Sequence, residues 1–287
     1  MASEDVFEIE ALASNRIQEI LPVLAGAFGT HFDQEWLRWK HQAGPWGESP
    51  VWVAQDDLGI IGVRIFLPWR FTFDGKVLTA FRPCDTVTVE RARGRGVFRS
   101  LTLTAMEEIG DRVDLYFNTP NTSSRPGYLK MGFVEWVQVV QGLGITRPQS
   151  SRLSEAMVPS TPRPGLLTEM SEAFLQWRYA QCPRFDYRQA GLAQAETPNG
   201  IVWRVRITRG FRLLVVSEIW GSPSEKKALL RAAAHEAKTG LIWMSAENAD
   251  LMSLSLRRSA TIVTRKDVTT ADLQPPRLSL GDIEDVI

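Results

Sequence analysis

The chain is 287 residues long, enough for one large domain or two ordinary ones. Hydrophobic residues make up 44% and charged residues 23%, an ordinary globular composition. Lysine plus arginine equal aspartate plus glutamate at 33 each, and this balance speaks against wholesale nucleic-acid binding, which needs a basic surplus to displace counterions.

Phe7, Glu8 and Ile9 alternate and predict a first strand together with Val6. Asn15 to Phe28 has helical spacing with a break at Pro22. Asp33 predicts the cap of a second helix that carries Trp36, Leu37, Trp39 and Lys40 and stops near Gly44-Pro45. Strands are expected at 51–55, 60–69 and 77–81, the last two joined by an Asp74-Gly75 hairpin turn. Asp85 to Val89 alternates as a further strand, and Val97, Leu101, Ala105 and Ile109 line one side of the helix after it. Between them lies Arg91-Ala92-Arg93-Gly94-Arg95-Gly96. Strand, Gly- and Arg-rich turn, then helix builds a pocket of unpaired N–H groups at a helix N-terminus, where the dipole also favours negative charge. A pyrophosphate suits such a pocket. A strand at 114–118, a short helix at 125–131 capped by Gly132, and strand-like residues 133–145 follow.

Residues 147–165 are rich in Pro, Ser and Arg and read as a linker. Beyond it the first half recurs. Leu37-Arg38-Trp39-Lys40 with Pro45 corresponds to Leu175-Gln176-Trp177-Arg178 with Pro183, and the Gly59–Ile65 run to Gly200–Ile207. Ser222-Pro223-Ser224-Glu225 predicts a capping box that opens a helix through Lys238. Strand 241–245, helix 248–260 and strand 261–266 complete the second copy. This copy has no Gly-x-Gly and no arginine in the loop position, so it is not expected to bind the same phosphate ligand with full affinity.

Cys84 and Cys182 show neither metal-ligand spacing nor a disulfide framework, and no other His, Cys or carboxylate set does, so no metal is expected. The N-terminal residues lack the pattern of a secretion signal, and the longest apolar stretch, 20–28, is well short of the ~20 residues that span a bilayer. A cytoplasmic protein with no membrane partner is expected.

Arg91-x-x-Gly94-x-Gly96, together with Asn121 placed seven residues before Tyr128-Leu129-Lys130-Met131-Gly132-Phe133, resembles the GNAT superfamily of N-acyltransferases, which use acetyl-CoA or a related acyl-CoA. The resemblance covers residues 1 to about 145 and extends to 166–266 as a degenerate second copy. It implies an α/β fold with a mixed, mostly antiparallel sheet flanked by helices in each of two tandem domains. Residues 1–146 would be catalytic and 166–287 would shape the acceptor site or the structure. The helix bearing Trp39-Lys40 is similar to that of a bacterial GNAT subgroup associated with envelope polysaccharide biosynthesis, by analogy alone.

The resemblance implies that the amides of residues 93–98, Val97 and Phe98 included, wrap the CoA pyrophosphate, with Gly94 and Gly96 permitting the backbone approach. Any of Arg93, Arg95 and Arg99 can meet the pyrophosphate or the 3′-phosphate, and Arg91 opens the motif. The acyl-pantetheine arm would pair with the Val87 strand as an added strand, and an N–H on the Val87 or Val89 side would hold the thioester carbonyl. A phenol is protonated at neutral pH, so Tyr128 is the candidate acid for the departing thiolate. Asn121 would hold the pantetheine arm or a water. For the amine's proton the candidates are Asp85, placed by period two on the face of Val87 and Val89, a water chain, and the histidines His31 and His41.

The function implied is transfer of an acetyl or short acyl group to a primary amine, such as an amino sugar or another small amine. A homodimer is compatible with it. A Fem-like aminoacyl transfer from tRNA and a non-catalytic acyl-CoA sensor are the alternatives.

Overall fold

Alternating apolar residues draw the first strands into an antiparallel sheet. In β1 (Glu8–Leu12) and β2 (Val51–Asp56) the register sets Leu12 opposite Val51 and Glu8 opposite Gln55. The computed structural model describes residues 7–29, 32–159, 165–267, 273 and 275–283. Between β1 and β2 a 3₁₀ turn leads into α1 (Leu21–Phe28), where Pro22 stands in the first turn and starts the helix. Asp33 caps α2 (Gln34–Gln42) by accepting the Trp36 amide at 2.8 Å. β3 (Gly59–Phe73) and β4 (Lys76–Thr88) are joined by Asp74 and Gly75, whose φ angles of 47° and 80° give the left-handed pair a tight hairpin requires.

α3 (Val97–Ile109) buries Val97, Leu101, Ala105 and Ile109, the face its spacing predicts. It lies so close to β3 that a Cβ on Gly62 would sit 2.5 Å from Val97 Cγ1 and 2.8 Å from Leu101 Cδ1. Gly62→Val is therefore expected to cost about 1–3 kcal/mol by overpacking, read as a shift in the urea midpoint at unchanged slope. β5 (Leu115–Asn118) then runs parallel to β4, and α4 (Arg125–Lys130) follows.

The chain divides into two compact units, and they are not contiguous halves. The first is Met1–Phe71, Val77–Glu135 and Thr264–Leu273; the second is Thr72–Lys76, Trp136–Val263 and Gln274–Ile287. The division at 146 and 166 read from composition differs from this for a physical reason. Residues 264–267, far along the chain, pair antiparallel with β5, setting Thr264 opposite Asn118. The Thr264 hydroxyl also donates to the Asn118 side chain, and Lys266 Nζ donates to the Met131 carbonyl at 2.8 Å.

The second unit takes up β6 (Val134–Ile145) from Trp136 on, β7 (Leu153–Ser154), β8 (Leu166–Thr168) and α5 (Glu172–Leu175), which runs on as one widened turn to Ala180. β9 (Arg188–Leu192), β10 (Gly200–Thr208) and β11 (Phe211–Trp220) follow, then α6 (Pro223–Glu236) and β12 (Leu241–Ser245). The strand order is β6-β12-β11-β10-β9-β7. Its interior joins Ile201, Leu214, Val216, Leu229, Leu230 and Ile242. The capping box at Ser222 and Glu225 is present as its residues predict.

Two expectations fail here. The described part of the supposed linker is bound into the second unit: β7 pairs with β9, Gln149 donates its amide to the Arg231 carbonyl, and Met157 donates to that of Asn199. Residues 160–164 lie outside the described residues. The helix expected at 248–260 is a 3₁₀ stretch at Ala246–Leu251 followed by β13 (Leu254–Asp267). Leu254-Ser255-Leu256 alternates with period two, and that local pattern prevails. The strand-like residue Val6 and the candidate base His31 lie outside the described residues. Among the described residues no helix is long and apolar enough to cross a membrane.

Candidate active site

The Arg/Gly stretch folds as a short 3₁₀ turn, Glu90–Ala92, and a loop ending at Gly96, the N-cap of α3. Gly94 and Gly96 both take φ of 80°, the left-handed region open to glycine. No side chain caps α3. The Ala92, Arg93 and Arg95 amides turn back on loop carbonyls, whereas those of Gly94, Gly96, Val97 and Phe98 meet no backbone carbonyl among the described residues. A cluster of unsatisfied donors at a helix entrance is an anion site.

The arginines divide into two sets. Arg91 grips Asp56 with both terminal nitrogens, at 2.5 and 3.0 Å, and Arg95 reaches the same carboxylate at 3.4 Å. These guanidinium contacts, the Arg91 hydrogen bond foremost, pull the Asp56 carboxyl down to about 2. Arg93 and Arg99 are exposed, and no side-chain ion pair holds either of them among the described residues. Asp56 was missed by the sequence reading; an acidic residue at the β2–β3 turn gives no sign that its partner lies in a loop 35 positions away.

β4 and β5 are hydrogen-bonded at two register pairs, Ala80–Leu115 and Phe81–Tyr116, and β4 then continues to Thr88 while β5 stops at Asn118. One of the two expected donors, Val89, is already engaged. The Val89 amide is bound to the Ile61 carbonyl at 2.9 Å, on the β3 side. Strand alternation leads one to expect the Val87 amide on that same side and the Thr88 amide on the β5 side.

Asp85 departs from the simple period-two reading as well. Its φ of 42° is left-handed within β4, a backbone strain that neighbouring contacts must hold. Lys40 Nζ lies 2.8 Å from Oδ2 and 3.0 Å from Oδ1, and His41 Nε2 lies 2.8 Å from Oδ2. Burial alone would raise the Asp85 carboxyl, but the Lys40 charge and the His41 hydrogen bond outweigh it and hold the group well below the usual carboxylate range. Burial pushes His41 down in spite of Asp85. A neutral imidazole then donates from Nε2 to Asp85 and accepts at Nδ1 from Ser49 Oγ, 3.0 Å away. His41, Cys84 and Asp85 bring three ligand-type atoms within 4.8 Å of one another, yet the Lys40 ammonium already sits on this carboxylate as its cation, so the set does not fit a metal ion.

Tyr128 on α4 is buried, with ring centroids 5.4 Å from Phe98 and 5.0 Å from Phe133, both edge-on. Gly127 permits this packing, since a Cβ there would meet the Phe98 ring at 2.9 Å. Arg64, on β3 and fully buried, was not singled out in sequence. It donates to Thr86 on β4, and its guanidinium carbon lies 5.2–5.3 Å from the ring centroids of Phe66, Phe98 and Tyr128. Asn121 is exposed and accepts the Ser123 and Ser124 amides at 3.1 and 2.8 Å, a local turn that leads into α4. The structure thus groups Val97, Phe98 and Tyr128 with Arg64, and sets Asp85 in a separate cluster with α2.

Residues 8–135 match the family model described as an acetyltransferase (GNAT) domain. No curated protein matches the chain in sequence. Among solved structures it is similar to a GCN5-related N-acetyltransferase from Anabaena variabilis, with 15% identity and a TM-score of 0.71 over 92% of this chain and 73% of that one. A GCN5-related N-acetyltransferase from Kribbella flavida gives 12%, 0.67, 93% and 72% in the same order. Eis1 from Mycobacterium abscessus gives 11%, 0.61, 92% and 74%. At these identities the likeness is one of fold, and it agrees with the mixed α/β architecture the sequence implies. The match over residues 8–135 and the shared fold make this chain similar to the GNAT acetyltransferases, a family of acyl-transferring enzymes.

Proposed function

We propose that the first unit moves an acetyl or short acyl group from acyl-CoA to a small primary amine by direct attack. The observation that carries this is the uncapped start of α3, with the amides of Gly94, Gly96, Val97 and Phe98 meeting no backbone carbonyl among the described residues and two left-handed glycines. In this reading those amides hold the pyrophosphate, and Arg93 and Arg99 supply mobile positive charge. Arg91 and Arg95 brace the loop through Asp56. The pantetheine arm lies where β4 and β5 diverge, and the Thr88 amide donates to the thioester carbonyl as charge builds on its oxygen.

The amine nitrogen attacks the thioester carbon, the C–S bond breaks, and the thiolate takes the Tyr128 phenol proton. Asp85 serves as a positioning residue. Its carboxylate is held ionised by Lys40 and His41 and fixes the left-handed kink in β4. The amine's own proton leaves through water. The acceptor class is a small amine such as an amino sugar, a choice resting on the analogy of the α2 helix.

The second unit is, in the same reading, a degenerate copy. β11 and β12 are parallel with two register pairs, Leu214–Ile242 and Val215–Trp243, as β4 and β5 are. Tyr179 donates to Glu218 on β11 at 2.7 Å, where the first unit sets His41 on Asp85 of β4. Both rings follow a helix-borne cation, Arg178 or Lys40.

The test is thiol release from acetyl-CoA across a panel of primary amines. Tyr128→Phe is expected to lower kcat by about 10²-fold or more while leaving the acetyl-CoA Kd within about twofold. Equal turnover would remove Tyr128 from the mechanism, and silence across the whole panel would count against amine acylation.

A further inference from the structure

The second unit holds a cavity of about 670 Å³, within the range of small-molecule sites. It opens beside β11 and β12 past their two paired positions, near the start of α6. Parallel strands that part in this way leave a crevice at their carboxyl ends where ligands commonly bind.

The lining has a definite chemical order. Phe174, Val216, Trp220, Met244, Leu278 and Leu280 form apolar walls, and all are buried. Among them stand Ser217, Glu218, Ser245 and Asp282, each no more than 5% exposed. The lining cations stand further out, Lys226 half-buried and Arg277 exposed, with Glu247 also exposed. Ser245 is 4% exposed, and its hydroxyl oxygen is buried with no hydrogen-bond partner. A buried polar atom without a partner on a cavity wall carries a desolvation cost that a ligand can relieve.

The site does not fit a phosphate. The first amides of α6 are engaged by its own side chains: Glu225 N donates to Ser222 Oγ at 3.3 Å, Glu225 Oε2 accepts from Ser222 N at 2.7 Å, and Pro223 has no N–H. Deep in the cavity the charged groups are acids. Glu218 Oε1 is fixed by the Tyr179 and Ser279 hydroxyls, both at 2.7 Å, and Asp282 Oδ2 accepts the Ser279 amide at 2.7 Å. Burial pushes the Asp282 carboxyl up, and the buried Arg178, which donates to the neighbouring Gly281 carbonyl, offsets its charge, so Glu218 is the carboxylate at the base of this apolar cavity that repels an anion and attracts a cation. An ammonium brings three donors and no acceptor, which suits carboxylate oxygens and an unclaimed hydroxyl.

We propose that this cavity is a binding site for an organic amine: an apolar body between Phe174 and Trp220, with its ammonium among Glu218, Ser245 and Asp282. The site stands apart from the acyl transfer proposed for the first unit, so its test uses no acyl-CoA.

The experiment is calorimetric titration of the full chain with 4-phenylbutylamine, 4-phenylbutanol and 4-phenylbutyrate, which share one body and differ in head group. The amine is expected to bind about tenfold or more tighter than the alcohol, a difference near 1.4 kcal/mol, with no binding by the acid. Glu218→Gln should erase the amine's advantage over the alcohol. Ile219→Trp, at a half-buried lining position, should abolish binding by filling space. Equal binding of amine and alcohol, or no binding by any of the three, would overturn the proposal. A crystal of the unaltered protein soaked with the ring-brominated amine guards against variants that fail to fold. Bromine density between Phe174 and Trp220 supports the site, and density elsewhere refutes it.

Discussion

Asp85→Ala is expected to lower the unfolding free energy at pH 7.5 by about 3–5 kcal/mol, the range found when one partner of a buried ion pair is removed. The substitution leaves the Lys40 ammonium, now 2.8 Å from that carboxylate, without its anion, and removes the acceptor of His41 Nε2. It also puts a side chain with no polar contacts at a φ of 42°. The same network fixes the direction of the pH dependence. The folded Asp85 carboxyl lies well below its ordinary value, so its contribution is complete above about pH 4 and is lost as acid is added toward the folded value. His41 is also pushed down, by burial. Below about pH 6.5 the unfolded chain takes up a proton that the folded imidazole refuses, so stability falls with acidification there too. Urea titrations at several pH values read both effects. A variant as stable as the parent within about 0.5 kcal/mol would show that the cluster contributes no stability.

Gly96→Trp is expected to weaken acetyl-CoA binding by about tenfold or more. A Cβ at Gly96 meets nothing within 4 Å, so the fold has room for it, and the indole would stand where the proposed pyrophosphate meets the helix entrance. The φ of 80° adds local strain, so a control must carry the same burden elsewhere. Gly59→Trp does so: φ is 104°, the surrounding space is open, and the position lies at the start of β3. Binding by calorimetry should survive in the Gly59 variant and fail in the Gly96 variant. Equal affinity in both would detach the loop from coenzyme binding.

What could be read in the sequence was local. The cap at Asp33, the turn at Asp74-Gly75, the buried face of α3 and the capping box at Ser222 each depend on residues a few positions apart. The loop and Tyr128 were legible because glycine spacing and a short helix carry their own signal. The Asp56–Arg91 brace, the Lys40–Asp85–His41 cluster and Arg64 beneath Tyr128 were not, since each joins residues brought together by sheet order. Alternation alone also missed the kink at Asp85, and the resemblance offered a Val89 amide that the Ile61 carbonyl already holds, because neither the kink nor the neighbour of a strand is written in its period. The strand at 254–267 was misread as partly helical, and with it went the fact that the first unit borrows residues from the far end of the chain.

That loan orders events during synthesis. Asn118 and Thr264 are separated by 146 positions. At about 5–20 residues per second, a ribosome that has just made Asn118 needs roughly 7–30 s to reach Thr264. For that interval the free edge of β5 has no strand to cover it, which is the condition under which nascent chains pair wrongly. A version of this protein cut after residue 146 would keep every group proposed for acyl transfer and still carry that open edge permanently.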